Sequence, residues 1–233
     1  DVYKRQLLAL IKGKNADCIV CGLKQTSGNI WAPAFDKDYS DLASFKCDFI
    51  YWINTELLSS SVNKIYKRGL ITELYPENMS FGEDLVFVLN YLKHCNRISF
   101  TQEPLYQHEV YNSVSLTHSF SPARFSNLED IQKAILDFAD DKNKINPRIY
   151  DKYVKDALHL TRMWYKNKNV PYIRKKEIIG EWLKQSYIRK LKISDYQLHW
   201  KDRMLLHSLH MSCFIGINWI VNGKEYINSL SKE

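Results

Sequence analysis

The sequence predicts an α/β fold followed by an all-α C-terminal region. Three observations carry this. Short apolar runs at Cys18–Leu23, Val62–Tyr66, Ile98–Phe100 and Leu105–Val110 have the length of strands. Helical patterns over 41–57 and 83–92 lie between them, the alternation of an α/β layer. From Ser121 onward only helical periodicity remains, with Pro122, Pro147 and Pro171 at helix openings. The expected division is 1–118 for the α/β part and 119–233 for the helical part.

In chain order, Leu7–Ile11 starts a helix that closes near Gly13 or Asn15. Cys18–Leu23 is a buried strand. Its Cys18-x-x-Cys21 spacing invites a zinc or redox reading, but no second Cys or His pair stands at ligand spacing. Two core cysteines are expected instead. Thr26-Ser27-Gly28-Asn29 is turn chemistry between short strands. Asp36-Lys37-Asp38 has the form of a chelating carboxylate pair. No strand pattern precedes it, so Asp38 or Ser40 as the cap of a helix over 41–57 is the simpler expectation.

Phe45, Phe49, Trp52, Ile53 and Leu57 make the apolar stripe of that helix, either core or one wall of an acceptor cleft. The strand Val62–Tyr66 carries Asn63 and Lys64, an amide and an ammonium suited to phosphate or sugar hydroxyls. A solvated lysine explains Lys64 equally well. A short helix over 68–72 and a loop through Pro76 follow.

Glu83 and Asp84 then open a helix whose Leu85, Val88, Leu89 and Leu92 recur at i, i+3, i+4 and i+7. Acids in a first turn complement the helix dipole, which is the plain explanation for the pair. Strands at Ile98–Phe100 and Leu105–Val110 come next, the second opened by Pro104. Past Ser121, helices are built on Leu128, Ile131, Ile135 and Phe138; on Tyr150, Val154, Leu158 and Met163; and on Ile178, Ile179, Trp182 and Leu183. A last one runs from Asp195 to Val221.

Asn63-Lys64-Ile65-Tyr66-Lys67-Arg68, the Glu83-Asp84 helix, Pro104-Leu105-Tyr106 and Asn112-Ser113-Val114-Ser115 stand in one order. In that order they resemble the second half of glycosyltransferase family 2 enzymes with the GT-A fold. The resemblance covers roughly Leu7 to His118. It implies a partial GT-A (Rossmann-like) sheet with flanking helices. It also implies inverting transfer of a sugar from a nucleotide-sugar, most simply a UDP-sugar, to a hydroxyl of a saccharide or lipid-linked acceptor in bacterial surface polysaccharide synthesis.

Asp84 matches the family's catalytic base, and Glu83 with Trp52 would face the acceptor. Asn63, Lys64 and His108 would face the donor. His108 stands three residues before the slot of a basic diphosphate contact, here filled by Tyr111; it could take that role or ligate a metal, and a structural role explains it as well. Magnesium or manganese would sit on an Asp-x-Asp that precedes this stretch in the family. The chain opens without Met, at Asp1-Val2-Tyr3-Lys4-Arg5-Gln6, so a fragment lacking the nucleotide-binding half is expected.

Composition sets further bounds. The 233 residues are 45% hydrophobic and 25% charged, ordinary for a globular chain. No run of 18 apolar residues suggests a transmembrane helix. Five cysteines at irregular spacing do not form a disulfide framework, so a cytoplasmic location is expected.

Net charge is −1 over residues 1–118 and +8 over 119–233. Arg174-Lys175-Lys176 and Arg189-Lys190-Leu191-Lys192 are the densest basic clusters. They read as solvated or internally packed, or, beside Trp200, Leu205, Leu206, Phe214, Trp219 and Ile220, as contacts to an anionic membrane at the inner face of the plasma membrane. No nucleic-acid-binding pattern accompanies them. The competing function is a non-catalytic helical binding module with an α/β remnant.

Overall fold

The computed structural model describes residue 9, residues 13–109 and residues 121–223. The expected helix at Leu7–Ile11, Tyr111 and the Asn112–Ser115 turn fall wholly or largely outside them. Two compact units are present. One comprises Asp1–Leu116 with Lys133–Ile149, the other Thr117–Gln132 with Tyr150–Glu233.

The first unit is α/β. Its elements are β1 (Cys18–Val20), β2 (Leu23–Gln25), β3 (Ile30–Trp31), β4 (Lys37–Tyr39), α1 (Leu42–Cys47), α2 (Phe49–Asn54), β5 (Lys64–Tyr66), α3 (Glu83–Leu92), β6 (Ile98–Phe100) and β7 (Tyr106–His108). One sheet has the order β4-β6-β1-β5, with β1 and β6 parallel and both outer pairs antiparallel. A smaller sheet has the order β3-β2-β7, with β2 and β7 parallel.

The expected strand Cys18–Leu23 is therefore split at Cys21-Gly22, where the chain passes from one sheet to the other. Gly22 is required there: a Cβ would come within 2.6 Å of the Ala32 Cβ. Gly28, at φ 93°, makes the turn between β2 and β3.

An aromatic core covers the larger sheet. Trp52 stacks on Phe100 with ring centroids 3.6 Å apart, and Phe45 packs on Phe49, Phe100 and Phe138. All five residues of the expected stripe are buried. The helix over 41–57 is two helices, however. Asp41, rather than Asp38 or Ser40, is the cap, its Oδ1 accepting the Ser44 N–H at 2.7 Å. The chain breaks at Asp48, whose carboxylate accepts the Tyr39 hydroxyl at 2.8 Å while Tyr39 accepts the Trp52 indole N–H at 2.5 Å. The stripe continues across the break, which is why periodicity alone does not reveal it.

Cys18, Cys21 and Cys95 are buried and Cys47 and Cys213 exposed, all as free thiols. Burial pushes the Cys18 thiol up to about 12 and Cys21 to about 11. A thiol reagent at neutral pH is expected to modify two cysteines in the native protein and five in urea. A buried thiol stays protonated where its unfolded counterpart ionises, so stability is expected to fall as pH rises from about 9 towards 12. Denaturant midpoints across that range check the sign.

The second unit is helical. It contains the first part of α4 (Ala123–Phe138), then α6 (Asp151–Lys166), α7 (Tyr172–Gln185), α8 (Trp200–His210) and α9 (Phe214–Asn222); the short α5 (Asp141–Lys144) belongs to the first unit. Glu129 lies at its centre, accepting from the Tyr153 hydroxyl at 2.5 Å, the Trp182 indole at 2.6 Å and the Tyr187 N–H at 3.2 Å. Burial raises its pKa, and these donors only partly offset that.

The helix expected over 195–221 breaks at Ser212, which has φ 52°. Cys213 N–H closes onto the Ser208 carbonyl at 2.7 Å, and Gly216 lets α9 approach α8: a Cβ there would meet Ser208 Oγ at 2.9 Å. No helix among the described residues is long and apolar enough to cross a membrane.

Candidate active site

The site is built at the carboxyl end of β1. In open α/β sheets ligands sit outside the carboxyl ends of the strands. Val20, the last residue of β1, pairs with Lys64 of β5. The chain returns to β5 from α2 through the loop over 55–63, with Glu56 at φ 63°. That loop delivers Ser61 to the start of α3, where the Ser61 hydroxyl donates to Asp84 Oδ1 at 2.8 Å. Gly82, at φ 77°, turns the chain into α3 so that Glu83 and Asp84 occupy its first turn, both half-buried. Leu85, Val88, Leu89 and Leu92 are buried as the spacing predicts, which holds the two acids at the unit's surface edge.

Asn63 and Lys64 lie beneath this loop and point inward. Asn63 is fully buried, its amide donating to the Cys21 carbonyl at 2.9 Å and the Leu57 carbonyl at 3.3 Å. The Lys64 ammonium donates to the Leu57 carbonyl at 2.6 Å, the Asn63 side-chain oxygen at 2.8 Å and the Ser60 carbonyl. An ammonium has three donors, and all three are engaged within the loop. Burial pulls the Lys64 pKa down to about 8, opposed by the Asp84 carboxylate. In this arrangement the pair fastens the loop that carries Ser61, a different task from contacting a donor diphosphate.

The other residues singled out in the sequence are elsewhere. Trp52 is wholly enclosed against Phe100 and Tyr39, so of its two readings the structure places it in the core, with no surface for an acceptor. His108 is exposed at the end of β7, an edge strand, and its side chain makes no hydrogen bond among the described residues. Asp36 accepts the Gln102 N–H at 2.7 Å, and Asp38 pairs with Lys14 at 2.7 Å. Burial raises the Asp38 pKa, but hydrogen bonds from Lys14 and Ser99 bring it below the usual carboxylate value. No group of three or more His, Cys, Asp or Glu side chains among the described residues could hold a metal ion. The described residues therefore do not fit a resident magnesium or manganese.

Ser61 is the partner of Asp84 that sequence reasoning missed. Nothing local marks it in Ser59-Ser60-Ser61; only the contact 23 residues away does.

The mixed α/β elements and many helices of this chain match a partial glycosyltransferase fold. The solved structures that show this are those of S. aureus TarS. TarS 1–349 in complex with UDP-GlcNAc is similar to this chain at 17% identity and a TM-score of 0.62, covering 95% of this chain and 63% of that one. The same protein in complex with UDP gives 16% identity, a TM-score of 0.59, and 95% and 62% coverage. A further structure of TarS gives 16% identity and a TM-score of 0.56, covering 94% of this chain and 37% of that one. The chain thus spans less than two thirds of the TarS structures it resembles. No protein-family model matches the sequence, and no curated protein matches it.

Proposed function

We propose that this chain is part of a family 2-type glycosyltransferase that transfers a sugar, with inversion, from a UDP-sugar to a hydroxyl of a saccharide or lipid-linked acceptor. Bacterial surface polysaccharide synthesis is the setting this reading favours. The observation that carries it is Asp84: a carboxylate in the first turn of α3, oriented by Ser61, at the carboxyl end of β1. The UDP-GlcNAc and UDP bound in the TarS structures support the choice of donor class.

In this reading Asp84 Oδ2 takes the proton of the acceptor hydroxyl as that oxygen attacks the anomeric carbon. The new C–O bond forms as the bond to the diphosphate breaks, the electron pair leaves on the nucleotide, and the proton ends on Asp84. A single displacement inverts the centre. Glu83, whose side chain makes no hydrogen bond or ion pair among the described residues, would bind an acceptor hydroxyl. Magnesium or manganese, which the resemblance implies, would have to be held by residues other than those described, and would supply positive charge for the leaving diphosphate. The basic second unit would hold the enzyme at the cytoplasmic face of the plasma membrane.

The experiment is a donor screen with the full-length protein that carries this chain, reading UDP release across a panel of UDP-sugars. Release from one sugar, stimulated by a saccharide acceptor and lost in Asp84→Asn, is the expected result. No release from any donor, in a folded protein, would favour the non-catalytic binding module.

A further inference from the structure

Two members of the basic clusters that the sequence offers as a membrane contact, Lys175 and Arg189, are used inside the second unit. Lys175 is buried and donates to the Tyr165 carbonyl at 2.7 Å. Arg189 donates to the Leu183 carbonyl and to Ser212 Oγ, both at 2.8 Å. Leu205 and Leu206 are buried, so they face no lipid.

A different surface emerges on α8. With Leu205, Leu206 and Leu209 turned inward, the outer face carries Trp200, Arg203, Met204, His207 and, just past the helix, Met211. The spacings of three, one, three and four residues place them on one stripe. Trp200 is 57% exposed and Met211 73% exposed. On α9, Ile215 and Trp219 are exposed one turn apart.

Beside the stripe lies an open cavity of about 560 Å³, lined by Leu191, Lys192, Ile193, Arg203, His207 and Met211 among others. Apolar Leu191, Ile193 and Met211 line it together with Lys192 and Arg203, side chains whose methylene stems can cover apolar surface while the charge stays in water. Neither has an acidic partner among the described residues. Lys201 adds a third cation, 5.4 Å from the Trp200 ring centroid. Of the nearest acids in sequence, Asp202 is paired with Arg162, while Asp195 accepts only from the Ser194 hydroxyl at 3.4 Å and keeps its charge, which leaves three cations beside one acid.

We propose that this face is a site for an anionic phospholipid bilayer. Trp200, Met204, Met211, Ile215 and Trp219 enter the interfacial layer, the cavity receives acyl surface, and Lys192, Lys201 and Arg203 meet headgroup phosphates. Exposed apolar side chains alone would suit many partners, but an excess of cations over acids beside them selects an anionic one. The inference deepens the membrane part of the proposed function and rests on it, while standing apart from the sugar-transfer step.

The test is co-sedimentation of the full-length protein with vesicles of phosphatidylglycerol and phosphatidylcholine, or of phosphatidylcholine alone, at low and high salt. Binding is expected only to the anionic vesicles and is expected to fall with salt. Each removed cation is expected to weaken it roughly fivefold, so Lys192→Gln with Arg203→Gln should weaken it about 25-fold. Met204→Ser with Met211→Ser should also weaken it, without lowering the melting temperature, because both side chains are exposed. Asp84→Asn should bind vesicles like the parent, which separates this inference from the catalytic one. Equal binding to neutral and anionic vesicles, or unchanged binding by the charge variant, overturns it. Self-association that the methionine variant abolishes, with no vesicle binding, would assign the face to a second copy instead.

Discussion

Replacing Asp84 with Asn is expected to lower kcat for sugar transfer by about 10²–10⁴ while leaving the fold intact, the usual scale for loss of a general base. Asparagine keeps the shape of the side chain, and its carbonyl oxygen can still accept from Ser61 Oγ. What disappears is the charge and the capacity to take a proton. The stability cost should stay within about 1 kcal/mol, the worth of one acid in a helix first turn. Glu83→Gln is expected to act mainly on the acceptor KM. Ser61→Ala should lower kcat less than Asp84→Asn does, with the loss largely restored by Ser61→Thr, because the hydroxyl orients the carboxylate without touching substrate. Steady-state kinetics on the four variants decide the assignment. Near-normal turnover in Asp84→Asn would remove it.

Trp52→Ala is expected to destabilise the first unit by about 3–5 kcal/mol, the range for truncating a large buried aromatic. The ring is stacked on Phe100, and its N–H is the donor at the head of the Trp52–Tyr39–Asp48 chain. Truncation opens a cavity and strips Tyr39 of that donor. Against a total stability of about 5–15 kcal/mol, such a loss is readily measured by urea unfolding. Trp52→Phe should cost less, because it keeps most of the stacking and loses the hydrogen bond. If Trp52→Ala instead left stability within about 1 kcal/mol and raised the acceptor KM, Trp52 would be a cleft wall that opens in solution.

The α3 helix shows how far pattern alone reaches. Its buried face, its acid-led first turn and the strands on either side follow from the spacing of Leu85, Val88, Leu89 and Leu92 and from the short apolar runs. Apolar periodicity is a local property, and burial obeys it whatever the topology. The same logic marks Phe45, Phe49 and Trp52 as one apolar stripe and separates an α/β part from a helical one, but it leaves Trp52 open between core and acceptor wall, and only its burial in the fold decides for the core.

Tertiary structure decided what depends on partners distant in sequence. Asn63 and Lys64 look like ligand-binding residues in a string of letters. They turn inward because the Leu57, Ser60 and Cys21 carbonyls need donors once the loop closes over β1. The breaks at Asp48 and Ser212 lack the usual glycine or proline. The Tyr39–Asp48 bond, the Gly216 approach to Ser208 and the Arg189–Ser212 bond accompany them in the fold, and none of these can be read from local spacing. The Glu129 knot joins residues up to 58 positions apart, and the Ser61–Asp84 bond spans 23. The sequence by itself therefore determined which faces are buried and where the candidate base stands. Which polar groups serve the fold and which remain for chemistry was decided only when the chain closed, because a hydrogen bond is allotted by proximity in space, not by order along the chain.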